Sequence, residues 1–157
     1  MSSRALRRAG AATLAAAGIL TGLAVGTGTA AADTVEVPMD RCWGVSPYIV
    51  DQPYAPARLF SWQTEPGRTQ LQMPDVASLW FFTGGYQTDV KLDWHNVDTG
   101  ERGTLYDNAT VSNPGNDVVT FDLNSGPGDV EFTVSAVNSI PLWSIPTTSC
   151  GGVVSVA

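Results

Sequence analysis

The alternation of apolar and polar residues across positions 89–136 constrains the fold more than any other feature of the chain. Val90 and Leu92 are separated by charged residues, and the same period of two recurs in two later segments. Successive side chains of a β-strand point to opposite faces, so this period predicts strands with one buried and one wet face. We expect three such strands, the last two forming a hairpin of residues 118–123 and 130–137.

Short strands and frequent turns continue along the rest of the chain, which carries sixteen glycines and ten prolines. Strands recur about every ten residues, and no segment after residue 32 has the pattern of a long helix, which favours a sandwich or barrel. Residues 77–83 include the most apolar run after the leader and predict a buried strand. Strand geometry puts Phe81 on the opposite face from Trp80 and Phe82, so either both faces of this strand are covered or an aromatic is exposed. The other predicted strands are 33–39, 58–63, 69–73, 88–95, 104–106 and 152–157, with 41–50 interrupted by proline and with 108–117 and 138–149 as loops.

The amino-terminal residues have the three parts of a secretory signal peptide. Three arginines precede an apolar run at 11–25, and the small residues 30–32 fit a signal-peptidase site. The run is shorter than the roughly 20 apolar residues of a membrane-spanning helix, although an uncleaved anchor is the alternative. We predict a cleaved signal peptide at 1–32 and a secreted single domain at 33–157, with no membrane insertion after cleavage.

Charge argues against two classes of partner. All fifteen acidic residues lie at position 33 or later, whereas three of the eight basic residues lie in the leader. The predicted mature chain therefore has five basic and fifteen acidic residues, a net charge of −10. Nucleic-acid binding depends on neutralising phosphates with Lys and Arg, so we expect no nucleic-acid partner. Anionic membrane surfaces are disfavoured for the same reason.

The two cysteines, Cys42 and Cys150, stand near the two ends of the predicted mature chain. Secreted proteins form disulfides readily, so we predict a single Cys42–Cys150 bridge, with two free thiols as the alternative. The bridge would close a loop of roughly a hundred residues, worth about 4–5 kcal/mol in the chain-entropy model. A zinc site would need four closely spaced ligands, which the sequence does not offer, and we expect no cofactor.

Groups suited to catalysis are scarce. His95 is the only histidine, and Asp93 lies two residues away on the same face of the predicted strand. A nucleophilic triad also needs a serine in a suitable setting, which the sequence lacks, so a solvated histidine is the favoured alternative. Scattered carboxylates could pair for glycoside hydrolysis, but the domain is small for the cleft that this reaction uses. We predict a non-enzymatic protein without catalytic residues.

Acidic residues in turns make calcium the metal to consider, because calcium prefers oxygen ligands supplied by loops. Solvated turn carboxylates are the favoured interpretation, since no regular array of ligands is present, and we predict no metal site. The residues concerned are Asp98, Glu101, Asp107, Asp117 and Asp129.

Aromatic residues provide the candidate binding groups, because the chain has five tryptophans and four tyrosines. Tyr54, Tyr86 and Trp143 lie beside prolines or glycines, and we predict that they are exposed rings that bind a ligand. Exposed rings suit the face of a sugar, and exposed apolar patches often bind proteins. The tryptophans expected in the core are Trp62, Trp80 and Trp94.

A W-x-N-x-x-T-G-x-x-G stretch at 94–103 is followed by an alternating run at 126–136. With these features, residues 88–137 resemble small secreted immunoglobulin-like proteins of actinobacteria, in which the later run is similar to the penultimate strand of the sandwich. It implies an all-β, immunoglobulin-like β-sandwich and a secreted location, and it carries no catalytic residue or ligand. The cysteines depart from antibody-type domains, since they lie at the chain ends. The matching residues of the stretch are Trp94, Asn96, Thr99, Gly100 and Gly103.

We therefore predict a secreted, non-enzymatic binding module of the cell envelope or extracellular space, acting on a wall glycan or a protein partner. The first alternative is a secreted inhibitor of a foreign enzyme that presents residues 51–56 or 140–146, and the second is a small hydrolase. Glycan binding predicts coplanar rings on one face, and inhibition predicts one protruding, well-braced loop. Hydrolysis predicts that His95 or a carboxylate pair lines a pocket. The sequence does not indicate an oligomeric state.

Overall fold

Two antiparallel β-sheets make up the described part of the chain in this computed structural model. The described residues all lie within 31–157, which form one compact unit. They are residues 33–40, 46–48, 51, 58–74, 78–112, 118–147 and 149–157. The strands are β1 Val35–Val37, β2 Leu59–Glu65, β3 Arg68–Met73, β4 Tyr86–Asn96, β5 Arg102–Val111, β6 Val119–Asn124, β7 Gly128–Ile140, β8 Trp143–Pro146 and β9 Cys150–Val156.

Strand β7, with thirteen residues, is the strand that joins the second sheet together. The first sheet has the order β1-β2-β3-β6, and the second has the order β5-β4-β7-β8, with β9 also paired to β7. Strand β7 is long enough to pair with β9 through residues 128–134 and with β8 through residues 137–140. Its other edge runs against β4, with Leu92 opposite Val134.

The core lies between the two sheets and follows the alternation in the sequence. Leu71 of β3 and Phe121 of β6 are cross-strand partners in the first sheet, and both belong to the buried cluster. Leu92 of β4 and Phe132 of β7 belong to the same cluster from the second sheet. Shared burial of apolar side chains is what holds two sheets face to face. The predicted all-β, two-sheet architecture is thus confirmed.

The predicted hairpin of residues 118–123 and 130–137 is wrong. Strand β6 pairs with β3 in the first sheet, whereas β7 pairs with β4 in the second. Alternation identifies the face that is buried but not the neighbouring strand, and the segment between β6 and β7 crosses from one sheet to the other. Two predicted loops also contain strands, because β5 continues to Val111 and β8 occupies Trp143–Pro146.

Asn96 anchors this crossing, and it belongs to the stretch that carries the resemblance. Its buried side-chain amide donates to the backbone oxygens of Ser125 and Pro127, at 2.9 and 3.1 Å. Its Oδ1 accepts from the backbone N–H groups of Asp98 and Thr99, each at 3.0 Å. One side chain therefore joins the β4–β5 turn to the segment between the sheets.

The other residues of that stretch also have structural tasks. Gly100 has a φ of 79°, which glycine adopts without steric cost. A Cβ at Gly103 would lie 2.7 Å from the Trp94 indole nitrogen, so the indole ring packs directly on the glycine backbone. Thr99 accepts a hydrogen bond from the N–H of Glu101 and tightens the turn.

Two further expectations concern the ends of the domain. Cys150 is buried at the start of β9, and no described cysteine is a free thiol. Cys42 lies outside the described residues, so its pairing with Cys150 stays a prediction, as does the signal peptide at 1–32. Within the described ranges, no helix has the length and hydropathy needed to cross a membrane.

Candidate functional site

Aromatic side chains gather where β4 begins and β8 begins, at one end of the second sheet. We call this group the aromatic end and define it as Tyr48, Trp80, Phe81, Phe82 and Trp143. The rings of Tyr48 and Trp80 stack, with centroids 5.0 Å apart and planes 17° apart. The Trp143 indole N–H donates to the backbone oxygen of residue 47, which brings that ring to the same place.

The outer rings of the aromatic end face solvent. Phe81 is 53% exposed and Phe82 is 70% exposed, while Trp143 is 45% exposed. The Phe81 and Phe82 rings meet edge to face, with centroids 5.9 Å apart and planes 85° apart. Leu79 and Leu142 are exposed as well and add to the apolar surface. Clustered exposed apolar groups of this kind mark interaction surfaces in soluble proteins.

The loop that presents the two phenylalanines is braced by a carboxylate. Asp51 Oδ2 accepts hydrogen bonds from the hydroxyls of Ser46 and Ser78, both at 2.6 Å. Its Oδ1 accepts the backbone N–H of Leu79 at 2.8 Å. Ser78 Oγ in turn accepts the N–H of Trp80 at 3.1 Å. Hydrogen bonds to an ionised carboxylate are stronger than neutral ones, so the start of the loop is held firmly.

Two glycines close the same loop. Gly84 and Gly85 have φ values of 94° and 71°, in the left-handed region that other residues adopt at a cost. A Cβ at Gly85 would lie 2.0 Å from the backbone oxygen of Val111, so only glycine fits there. The Tyr48 hydroxyl donates to the backbone oxygen of Gly85 at 2.7 Å and ties the loop to the stacked rings.

The predicted buried strand at 77–83 is therefore wrong. Phe81–Thr83 is a 3-10 turn with no buried residue, and residue 77 lies outside the described ranges. Pattern analysis could not reveal Asp51 as the brace, because this carboxylate lies 27 residues from Ser78. The pair of glycines after residue 83 was the available indication that the chain turns here.

The structure separates the three predicted ligand-binding rings. Trp143 is exposed, as expected, and belongs to the aromatic end. Tyr86 is 3% exposed and sits under Tyr48 at a centroid distance of 6.4 Å, so its expected exposure is wrong. Tyr86 is the first residue of β4, and it occupies the inward-facing position of the alternation that continues through Thr88 and Val90. Tyr54 lies outside the described residues.

The tryptophans expected in the core are intermediate in burial. Trp62, Trp80 and Trp94 are all partly exposed, and Trp94 packs against the buried cluster from its margin. The adjacent aromatics at 80–82 had left open that one of them is exposed, and both Phe81 and Phe82 are exposed. Analysis of the sequence did not place these two rings in a binding site, and no pattern indicated that Tyr48 would join them.

Asp93 does not orient His95. Its Oδ2 lies 2.6 Å from the Lys91 ammonium, and its Oδ1 accepts the Thr104 hydroxyl at 2.6 Å. The hydrogen bond from Lys91, followed by that from Thr104, lowers the pKa of Asp93. The same contact with Asp93 raises the pKa of Lys91. Both carboxylate oxygens are engaged in this way, which gives no support to an Asp93–His95 dyad.

The turn carboxylates considered for calcium bind the protein itself. Asp98 accepts the backbone N–H of Asp129 at 2.9 Å, and Asp129 accepts the Ser155 hydroxyl at 2.6 Å. Asp107 accepts the N–H of Thr120 at 2.7 Å. Across the described ranges, no group of three or more His, Cys, Asp or Glu residues could hold a metal ion. Of the other two candidates, Glu101 is exposed and Asp117 lies outside these ranges.

Similarity to known proteins adds no assignment to this geometry. Comparisons of the chain with protein-family models, with curated proteins and with solved structures found no match.

Proposed function

We propose that this chain is a secreted, non-enzymatic binding module that docks a protein partner through the aromatic end. The observation that carries the proposal is the pair Phe81 and Phe82, largely exposed on a loop whose backbone is fixed by Asp51 and Gly85. A soluble protein gains nothing in stability from holding two phenylalanines in water. Their rigid presentation therefore supports a role in recognition.

The ring geometry favours a protein surface over a glycan at this site. A sugar chain stacks best on coplanar rings, whereas the Phe81 and Phe82 planes are 85° apart. Phenylalanine and leucine also offer no hydrogen bond to sugar hydroxyls. Protein interfaces place such apolar groups at their centre, inside a polar rim. We infer a partner with an apolar pocket for Phe82, and the net charge of −10 on residues 33–157 favours a basic rim around that pocket.

A secreted enzyme inhibitor is the second candidate, and the bracing of the loop favours it. Inhibitors present a loop that is fixed before binding, because a fixed loop loses little conformational entropy in the complex. The loop braced by Asp51 is residues 78–85, which differs from both segments expected to act in this way. Of these, 140–146 spans the end of β7, the turn at 141–142 and β8, and 51–56 lies outside the described residues apart from Asp51.

We also infer an immunoglobulin-like fold type with a Cys42–Cys150 disulfide. Immunoglobulin sandwiches place strands A, B, E and D in one sheet and C, F and G in the other, with C′ beside C in the variable type. The orders β2-β3-β6 and β5-β4-β7-β9 correspond to A-B-E and C′-C-F-G. This correspondence supports the resemblance of residues 88–137 to immunoglobulin-like proteins of actinobacteria.

Site-specific photo-crosslinking tests the docking proposal. Benzoylphenylalanine would replace Phe82 in one variant and Val153, which is half exposed on β9, in a matched control. Both variants would be expressed with the complete leader in the native cells, and crosslinked proteins would be identified by mass spectrometry. We expect a protein that crosslinks from position 82 and not from position 153. Equal crosslinking from both positions, or none from position 82, would refute the proposal.

A further inference from the structure

We propose that the outer face of the second sheet carries a second ligand site, a groove that binds a neutral glycan. The groove has a volume of about 630 Å³ and crosses strands β5, β4 and β7. We call it the sheet groove and define it by Tyr106, Asn108, Asp89, Lys91 and Ser135, with Pro146, Thr147 and Ser149 as its far wall. Small-molecule sites span roughly 300–1,000 Å³, so its volume is suitable.

Strand register places the lining residues in two adjacent rows. Tyr106, Lys91 and Ser135 are direct cross-strand neighbours, from β5 across β4 to β7. Asn108 and Asp89 form the next row, two residues along each strand. Neighbours on one face stand about 5 Å apart, so these side chains converge on one ligand-sized area.

The far wall arises from a break along the outer edge of β7. Strand β9 pairs with β7 as far as Val134, and β8 begins to pair only at Val137. Thr147 fills the interval, because its N–H donates to the Ala136 oxygen at 2.8 Å and its hydroxyl accepts the Ala136 N–H at 2.9 Å. The chain around Thr147 therefore borders the flat face of the sheet and gives the groove a second side.

The chemistry of the lining suits a ligand rich in hydroxyl groups. The Tyr106 ring is 74% exposed and offers an apolar face with a hydroxyl at its tip. Asp89, Asn108 and Ser135 add a carboxylate, an amide and a hydroxyl, and among the described residues no protein group bonds to these side chains. A pyranose matches this arrangement, since its C–H face packs on a ring while its hydroxyls donate to carboxylate and amide oxygens.

Charge selects against acidic sugars. Among the described lining residues, the charged side chains on the groove face are Asp89 and Lys91, and Lys91 is already paired with Asp93 at 2.6 Å, so Asp89 leaves this face with a net negative charge. A uronic acid or phosphorylated sugar would meet uncompensated negative charge. We therefore assign the groove to neutral hexoses or N-acetylated hexosamines. Neither Phe81 nor Phe82 lines it, so this inference does not depend on the proposed docking role of the aromatic end.

Titration calorimetry on the mature protein, residues 33–157 with the disulfide intact, tests the assignment. The probes are neutral hexasaccharides of glucose, galactose, mannose and N-acetylglucosamine, with a galacturonic acid hexasaccharide as the acidic comparison. The variants are Tyr106→Ala and Asp89→Ala, and the control is Val153→Ala, which is half exposed on β9 and does not line the groove. Phe82→Ala is measured as well, to report whether the glycan binds at the aromatic end instead. Because these side chains are exposed, thermal unfolding should confirm that all four variants fold.

We expect at least one neutral hexasaccharide to bind, with affinity at least tenfold weaker in Tyr106→Ala and Asp89→Ala and unchanged in Val153→Ala. Failure of every neutral probe to bind would overturn the inference, as would binding that survives both groove substitutions. Binding lost only in Phe82→Ala would move the glycan to the aromatic end and refute the groove. That last result would count against both proposals, whereas the other two failures concern the groove alone and leave the docking proposal standing.

Discussion

Removing the Asn96 side chain should destabilise the domain more than its small size suggests. Asn96 is fully buried and makes four side-chain hydrogen bonds of 3.1 Å or less. Two of them hold the β4–β5 turn, and two hold the segment that crosses from β6 to β7. The change Asn96→Ala therefore releases two connections at once.

The expected loss follows from where the former partners lie. A typical hydrogen bond contributes about 1 kcal/mol net, which gives an upper figure of about 4 kcal/mol for four. Asp98 and Thr99 are exposed, so water can replace the two bonds to their N–H groups. Ser125 is fully buried, and stranding its carbonyl costs about 1–3 kcal/mol. We expect a loss of about 3 kcal/mol, which lowers Tm by roughly 10 °C in a domain of this size.

Chemical and thermal unfolding of residues 33–157 would measure this loss, with Asn124→Ala as the control. Asn124 is exposed at the end of β6, so its replacement should change stability by less than about 0.5 kcal/mol. If Asn96→Ala proved as stable as Asn124→Ala, the hydrogen bonds of Asn96 would not hold the crossing, and the reasoning would fail.

Three further predictions follow from named contacts. Gly85→Ala should disturb the loop at residues 78–85 and shift Trp80 fluorescence more than Gly84→Ala does, because a Cβ at Gly84 would meet nothing within 4 Å. Equal effects of the two substitutions would contradict the close approach of Gly85 to Val111. Lys91→Met should raise the pKa of Asp93 in a carboxyl NMR titration and leave that of Glu36, which is lowered by Arg58, unchanged. Folding lowers the pKa of Asp93, so the contribution of this carboxylate to stability should be complete above pH 3.8 and lost as the pH falls through the lowered value. A stability difference between wild type and Lys91→Met that persisted in strong acid would contradict the assignment. Peptide mapping without reductant of the protein purified from its native cells and culture medium should recover a Cys42–Cys150 peptide and an amino terminus at Asp33. Free thiols would refute the disulfide.

The sequence was sufficient to predict what depends on local pattern. Strand β4 was expected at 88–95 and occupies Tyr86–Asn96, because its alternation is regular and its flanking turns contain the residues that turns require. The final strand was likewise expected at 152–157 and occupies Cys150–Val156. In both strands, the apolar residues at every second position identify the face that is buried.

What could not be predicted depends on contacts between distant residues. After β6 the chain crosses to the second sheet and is bonded there by Asn96, and neither feature alters the alternation of β6 itself. The loop that carries Phe81 has the composition of a buried strand, and it is a turn because Asp51 and two glycines hold it as one. Phe82 lies on this turn and is exposed, whereas Tyr86, four residues later, lies in β4 and is buried.

An affinity measurement on the purified partner tests the central claim most directly. The partner identified by crosslinking at position 82 would be titrated with the wild-type mature protein, with Phe82→Ser and with Val153→Ser. A ring that fills a pocket at the centre of an interface contributes about 2 kcal/mol or more, equivalent to roughly a thirtyfold change in Kd. We predict at least a tenfold weaker Kd for Phe82→Ser and an unchanged Kd for Val153→Ser. Equal Kd values for the two variants would contradict docking through the aromatic end.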